Sequence, residues 1–318
     1  MTILEGTEEP GMESPKETVI RVEDLRKHYG TTRAVDGVSF AVERDEIFGV
    51  VGPNGAGKTT IVKCLAGLRR PDGGTVRFLG LDPGQDGRKL RERVGIQLQQ
   101  AALPDDIKVW EALDLYASFY RNAADWSLLL EHWGLTEKRA AAFKTLSGGQ
   151  KQRLFIALSL VNRPELVFLD EITTGLDPQA RRATWELIRG IRESGTTVVL
   201  VTHLMDEAER LCDRVAVVDG GRVVALDTPE ALIRDLRAES NVRFGGLKGF
   251  DPEALNGLPG VSRAAREGDD VVVYGDGPLL TRAVVELDRL GLVPTDVRVG
   301  RATLEDVFLE KTGKKIRD

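Results

Sequence analysis

Gly52-Pro53-Asn54-Gly55-Ala56-Gly57-Lys58-Thr59-Thr60 stands between an apolar run, Ile47-Phe48-Gly49-Val50-Val51, and a helical stretch from Ile61 to Leu68. The spacing is G-x-x-x-x-G-K-[ST], which chance composition would produce in about one or two chains per hundred. A plain glycine turn is the simpler reading, but the strand before it and the helix after it favour a phosphate loop. Glycines let backbone N–H groups turn inward onto phosphates, and the helix N-terminus adds partial positive charge. In such a loop Lys58 is expected to reach the β- and γ-phosphates of a nucleotide, and the Thr59 hydroxyl to ligate Mg²⁺.

Working outward, Leu166-Val167-Phe168-Leu169 and Thr197-Val198-Val199-Leu200-Val201 are further continuous apolar runs, each followed by a turn and a helical pattern. Buried parallel strands read this way, and their alternation with helices predicts a doubly wound, mainly parallel sheet. From Thr18 to about Asp45 the pattern alternates instead, which predicts antiparallel edge strands with turns at Tyr29-Gly30 and Asp36-Gly37. Between Ile107 and Phe143 the signal is helical, and Trp110, Tyr116, Phe119 and Trp133 read as the core of an inserted helical subdomain rather than a cofactor box. After Leu236 the order becomes βαββαβ, a ferredoxin-like α+β arrangement, followed by an amphipathic helix from Leu304 to Lys311. The predicted organisation is a tail at 1–17, a nucleotide-binding domain at 18–237 with its helical subdomain at about 100–160, and a C-terminal accessory domain at 240–318.

Composition excludes several function classes. The chain has 318 residues and a net charge of -6, whereas a nucleic-acid surface requires concentrated Lys and Arg. Cys64 and Cys212 lie far apart without C-x-x-C partners, so neither a disulfide framework nor a thiolate metal site is expected. No apolar run approaches the roughly 18 residues needed to cross a bilayer. The acidic stretch Met1 to Pro15 lacks the basic and apolar regions of a secretory signal and reads as disordered.

Asp170-Glu171 closes the apolar run Leu166 to Leu169. Beside a phosphate loop, adjacent carboxylates suit a division of labour, with Asp170 holding Mg²⁺ and Glu171 orienting and polarising an attacking water. Further along, Leu146-Ser147-Gly148-Gly149-Gln150 opens another helix. Ser147 and Gln150 alone make an S-x-x-Q capping box. That leaves Gly148 and Gly149 unexplained, since each costs up to ~1 kcal/mol of helix propensity relative to alanine. A pair of glycines there points to a ligand approaching the backbone closely.

With the phosphate loop and the Asp170-Glu171 pair, this pentapeptide resembles the LSGGQ signature of the ATP-binding cassette (ABC) family, over about Val19 to Leu236. The resemblance implies a P-loop NTPase fold and an ATPase using ATP and Mg²⁺. It implies that His203, after the run Thr197 to Val201, contacts the γ-phosphate and supports Glu171. Gln99, flanked by Gln97 and Gln100, takes the family's glutamine-loop position, linking Mg²⁺ and the attacking water to a transmembrane partner. Tyr29 matches the adenine-stacking residue. Asp177, which reads locally as a helix N-cap before Pro178, matches an aspartate that crosses a dimer interface. Ile172 departs from the family, which usually has proline there.

Both the phosphate loop and LSGGQ present helix N-termini to polyphosphate. The family reconciles them in a head-to-tail dimer with a second copy or a related cassette, ATP lying between one subunit's loop and the other's signature. The resemblance further implies a separate permease as partner, a place on the inner face of the cell membrane, and no nucleic-acid partner. The ending Ala302-Thr303-Leu304-Glu305-Asp306-Val307-Phe308-Leu309 is similar to the tail of the drug-export branch typified by daunorubicin-resistance cassettes. The alternative is a soluble regulatory ATPase or scaffold not coupled to transport.

Overall fold

The computed structural model describes residues 17–99, 101–236, 240–300 and 302–314. The acidic stretch Met1 to Pro15, expected to be disordered, lies outside these residues, as does Gln100; of the tail at 1–17 only Glu17 is described. The chain divides into two compact units, Met1–Ile47 with Thr59–Val199, and Phe48–Lys58 with Leu200–Asp318.

The first unit begins with β1 (Thr18–Tyr29) and β2 (Thr32–Glu43), an antiparallel hairpin turning at Gly30, φ +58. Asp36-Gly37, expected as a turn, lies inside β2. Leu25 faces Val38 while Arg26 faces Asp36, so Gly37 at φ +80 is the extra residue of a β-bulge. β3 (Ile47–Val51), which passes into the second unit at Phe48, is buried at every position and leads through the glycine loop to α1 (Lys58–Leu65), which returns to the first at Thr59. β4 (Gly73–Phe78) pairs with the free side of β1, giving a three-stranded antiparallel sheet in the order β2-β1-β4. The edge structure expected from the alternating pattern is therefore present.

After α2 (Gly87–Arg91), β5 (Val94–Gln97) runs parallel to β6 (Leu166–Asp170), from Val94 opposite Leu166 to Gln97 opposite Leu169. The chain between them is helical: α3 (Val109–Ala117), α4 (Trp126–His132) and α5 (Gly148–Ser159). Of the aromatic residues read as core, only Trp133 is buried; Trp110 and Tyr116 are half-buried and Phe119 is 64% exposed, so the core here is built from Val109, Leu113, Leu130 and Trp133 instead. α6 (Pro178–Glu193) and β7 (Thr197–Thr202) follow, and every residue of β6 and β7 is buried.

The starts of β5 and β6 are joined by charge. Arg93 Nη2 donates to Glu165 Oε2 at 3.0 Å, and Arg44 links Glu165, at 3.6 Å, to Glu17, at 2.7 Å. The Arg93 guanidinium holds the Glu165 carboxyl below its ordinary range. Stabilisation from a depressed carboxylate is fully present above its unfolded pKa and is lost as pH falls through the folded one. Glu165→Gln is therefore expected to lower the melting temperature at pH 7, and the gap to the parent chain should close as pH drops below the carboxylate range. A gap that persists at pH 3 would show that Glu165 acts by shape rather than charge.

In the second unit, β8 (Arg214–Asp219) follows α7 (Met205–Leu211) and pairs parallel with Phe48 to Val51 of β3. β9 (Arg222–Asp227) returns antiparallel to β8, and α8 (Pro229–Asp235) begins behind a Thr228 cap. Then come β10 (Ser240–Gly245), β11 (Val261–Glu267), β12 (Asp270–Gly275), α9 (Leu279–Arg289), β13 (Asp296–Gly300) and α10 (Leu304–Thr312). These strands form one antiparallel sheet in the order β11-β12-β10-β13, the ferredoxin-like order. Its core is Val242, Phe244, Leu255, Val273, Ala283 and Leu287. The first crossover is only a single 3₁₀ turn, Pro252–Leu255, where a short helix was expected.

Candidate functional site

The phosphate loop is held by backbone and by its own lysine. Gly52 N–H donates to Thr202 O at 3.3 Å, at the end of β7, and Gly221 N–H donates to Ala56 O at 2.9 Å. Lys58 is 4% exposed, and its Nζ donates to the carbonyls of Gly52, at 2.8 Å, and Pro53, at 3.0 Å. Gly55 and Gly57 have φ of +81 and +103, which side chains with a Cβ rarely adopt. Pro53, Asn54 and Ala56 complete the turn, and Thr59 and Thr60 follow Lys58 in the first turn of α1. The first N–H groups of a helix have no intrahelical partner, so this turn can receive an anion.

Sequence reasoning missed the residues behind the loop. A Cβ on Gly52 would lie 2.1 Å from the Val218 carbonyl oxygen. Thr202, Val218 and Gly221 hold the loop through main-chain atoms, so no side-chain type announces them. Gly52→Ala must push the loop off β8, and overpacking of this kind costs about 1–3 kcal/mol. The expected result is ATP affinity lower by about tenfold or more, read by titration calorimetry; an unchanged affinity would mean that the loop accommodates the methyl. His203, partly buried, directly follows Thr202 in this same unit.

In the first unit, Asp170 is the last residue of β6 and is fully buried. Glu171 follows at φ +51, a left-handed conformation that strains a residue with a Cβ by about 1 kcal/mol or more. Strain of this kind persists only where surrounding structure imposes it. Here Ile172, at 1% exposure, and Thr173, also 1%, are packed into the core on its C-terminal side. Ile172, the residue that departs from the resemblance, is thus a core residue. Gln99 Nε2 donates to Glu171 Oε2 at 2.6 Å, so these two predicted residues meet. Gln97, by contrast, is 5% exposed within β5.

At the signature, Ser147 caps α5. Its Oγ accepts from Gln150 N–H at 3.3 Å, and Gln150 Oε1 accepts from Ser147 N–H at 2.9 Å. Neither glycine of the pair has positive φ. A Cβ on Gly148 would meet nothing within 4 Å, and one on Gly149 only the Ala180 Cβ at 3.5 Å. The chain itself thus requires neither glycine. Asp177 Oδ1 accepts from Gln179 N–H at 3.0 Å and from Ala180 N–H at 2.9 Å, which is the local capping role. Tyr29 is 47% exposed at the end of β1, with Lys27 Nζ 5.7 Å from its ring centre.

Among the described residues, no group of three or more His, Cys, Asp and Glu could cage a metal ion. The Thr59 hydroxyl, Gln99 amide oxygen and Asp170 carboxylate are hard oxygen donors, too few for a protein cage but suited to a Mg²⁺ that keeps waters and phosphate oxygens.

Residues 35–174 match the family model of the ABC transporter. The chain is 39% identical to the Nod factor export ATP-binding protein I of Ralstonia nicotianae, over 97% of this chain and 98% of that protein. It is 37% identical to the daunorubicin resistance ATP-binding protein DrrA3 of Streptomyces coeruleorubidus, over 93% of this chain and 96% of that protein. A solved dimer of the ATP-binding cassette MJ0796, in a post-hydrolysis state bound to ADP and Pi, is similar with TM-score 0.60 and 26% identity, covering 66% of this chain and 98% of that one. The chain therefore belongs to the ABC transporter family, as one of its ATP-binding, ATP-hydrolysing proteins.

Proposed function

We propose that the chain hydrolyses MgATP in a head-to-tail dimer with a second copy or a related cassette, and so drives a separate permease that exports a drug-like or lipophilic compound. The observation that carries this reading is that nothing within the chain requires the glycine pair: a Cβ on Gly148 would meet open space and one on Gly149 only an ordinary contact with Ala180. The capping box needs only Ser147 and Gln150, so the glycine pair leaves the α5 N-terminus open to a polyphosphate arriving from outside the chain. The related MJ0796 cassette is a dimer.

In this reading the loop from Gly52 to Thr60 wraps the phosphates, and Lys58 turns from its loop carbonyls to the β- and γ-phosphates. Tyr29 stacks on adenine. Thr59, Gln99 and Asp170 hold Mg²⁺, which when bound neutralises charge building on the phosphoryl oxygens. Glu171 accepts a proton from the attacking water, Gln99 orients that water, and His203 contacts the γ-phosphate. Ser147 to Gln150 and Asp177 act on the partner subunit's nucleotide.

The permease partner is supported by two observations. No helix among the described residues is long and apolar enough to cross a membrane. A cavity of about 470 Å³ lined by Leu68, Leu98, Tyr116, Tyr120 and Phe155 adjoins the Gln99 loop, beside the exposed Phe119. In this reading it receives a cytoplasmic segment of the permease, and the chain works at the inner face of the membrane. Residues 18–237 then form the nucleotide-binding domain and 240–318 the accessory domain. The test is steady-state ATPase of the purified chain against Glu171→Gln, with co-fractionation on membranes carrying the permease. Turnover without membrane association would favour a soluble ATPase, and no turnover a scaffold.

A further inference from the structure

The C-terminal helix α10 has nine residues, Leu304–Thr312, and spans about 14 Å. It buries Leu304, Val307 and Phe308 to 0%, 0% and 1% exposure, lying against α7, α8 and β9. Its ends are tied to two places that the proposed chemistry uses. At the N-terminus, Thr303 N–H and hydroxyl donate to Asp306 Oδ2, both at 2.9 Å, which sets the first turn. The Leu304 N–H, lacking an intrahelical acceptor, donates to Glu209 Oε2 on α7 at 3.3 Å. α7 starts two residues after His203, and its lead-in is fixed by Leu204 N–H donating to Thr202 Oγ1 at 3.0 Å.

At the C-terminus, Gly313 turns the chain at φ +68, and Lys314 Nζ donates to Asp219 Oδ2 at 2.7 Å. Asp219 ends β8. The residue before it, Val218, presents the carbonyl that Gly52 packs against, and Gly221 just beyond holds Ala56 of the phosphate loop. One short helix therefore braces the segment that follows His203 against the strand end that backs the phosphate loop.

We propose that α10 is a positioning strap that fixes His203 relative to the phosphate loop, with Phe308 as its buried anchor, so that the C-terminal segment sets the turnover rate. This rests on the reading of His203 as a γ-phosphate contact. Ground-state binding should survive loss of the strap, because the loop is held by its own bonds to Thr202 and Lys58. Turnover should not, because a misplacement of about 1 Å caused far from the chemistry can cost up to about a hundredfold in rate.

The experiment is ATPase kinetics on the full chain carrying Phe308→Ala, Phe308→Leu, the pair Glu209→Ala with Lys314→Ala, and each of these combined with His203→Ala. Phe308→Ala should lower kcat about tenfold with KM for ATP within about twofold, and Phe308→Leu should restore most of the rate. The Glu209→Ala, Lys314→Ala chain removes both ties without opening the core, and should lose about threefold in kcat with an unchanged melting temperature. It decides the matter if Phe308→Ala does not fold. In the His203→Ala background the strap substitutions should have no further effect on kcat, a non-additivity that general loosening of the fold would not produce. Unchanged kcat in the strap variants, or losses that add fully to His203→Ala, would overturn the proposal. If His203→Ala itself keeps full kcat, the reading of His203 fails first and the strap proposal falls with it.

Discussion

Glu171→Gln is expected to lower kcat by about 10²- to 10⁴-fold, the range over which a positioned general base acts, while ATP affinity stays within about twofold. Glutamine keeps the shape of the side chain and can still pair with Gln99, whose Nε2 now donates to Glu171 Oε2 at 2.6 Å. It removes the one property the proposal needs, a carboxylate able to take a proton from water. The strained φ of +51 should be retained, because Ile172 and Thr173 stay buried. Phosphate release, set against ATP binding by equilibrium dialysis, separates the two effects. A kcat within tenfold of the parent would assign the base to another residue.

Lys58→Ala acts at the other step. Nζ is buried and bonded to the Gly52 and Pro53 carbonyls at 2.8 and 3.0 Å, so the ammonium already stands over the loop before a nucleotide arrives. Charge-assisted hydrogen bonds contribute about 1.5–3 kcal/mol each, and losing one such bond to phosphate should weaken ATP binding by about 10- to 150-fold. Lys58→Arg should not rescue, because a planar five-donor fork cannot replace a compact ammonium at 4% exposure. Undiminished affinity in Lys58→Ala, by the same dialysis, would show that the lysine serves the loop's fold alone.

The parts of the fold that were legible in the sequence are those specified locally. The apolar runs of β3, β6 and β7 read as buried strands because both faces of each are covered, and the glycine loop after β3 lies within one short segment. Asp36-Gly37 reads as a turn in sequence because a turn and a bulge ask the same positive φ of glycine; the cross-strand register with Leu25 and Arg26 decides between them. The choice among Gln97, Gln99 and Gln100 was equally non-local. Gln97 is buried opposite Leu169 in β5, whereas Gln99, past the strand end, meets Glu171. The buttress of Thr202, Val218 and Gly221 left no signal because main-chain atoms do the holding. The left-handed backbone at Glu171 left none because a glutamate does not announce a positive φ. The LSGGQ glycines behaved oppositely, since their cost to a helix was visible in the residue types alone.

The central claim is that the LSGGQ of one copy completes the nucleotide site of another. Sedimentation equilibrium of Glu171→Gln, with and without saturating MgATP, tests it most directly, with Gly148→Asp added as a second variant. The aspartate fits the empty space beside Gly148 within the chain but would set a negative charge against an incoming polyphosphate. The account predicts a monomer without ATP, a dimer with ATP, and a monomer that still binds ATP once Gly148→Asp is added. A Glu171→Gln chain that stays monomeric with ATP bound at tens of micromolar, or a dimer indifferent to Gly148→Asp, would contradict it.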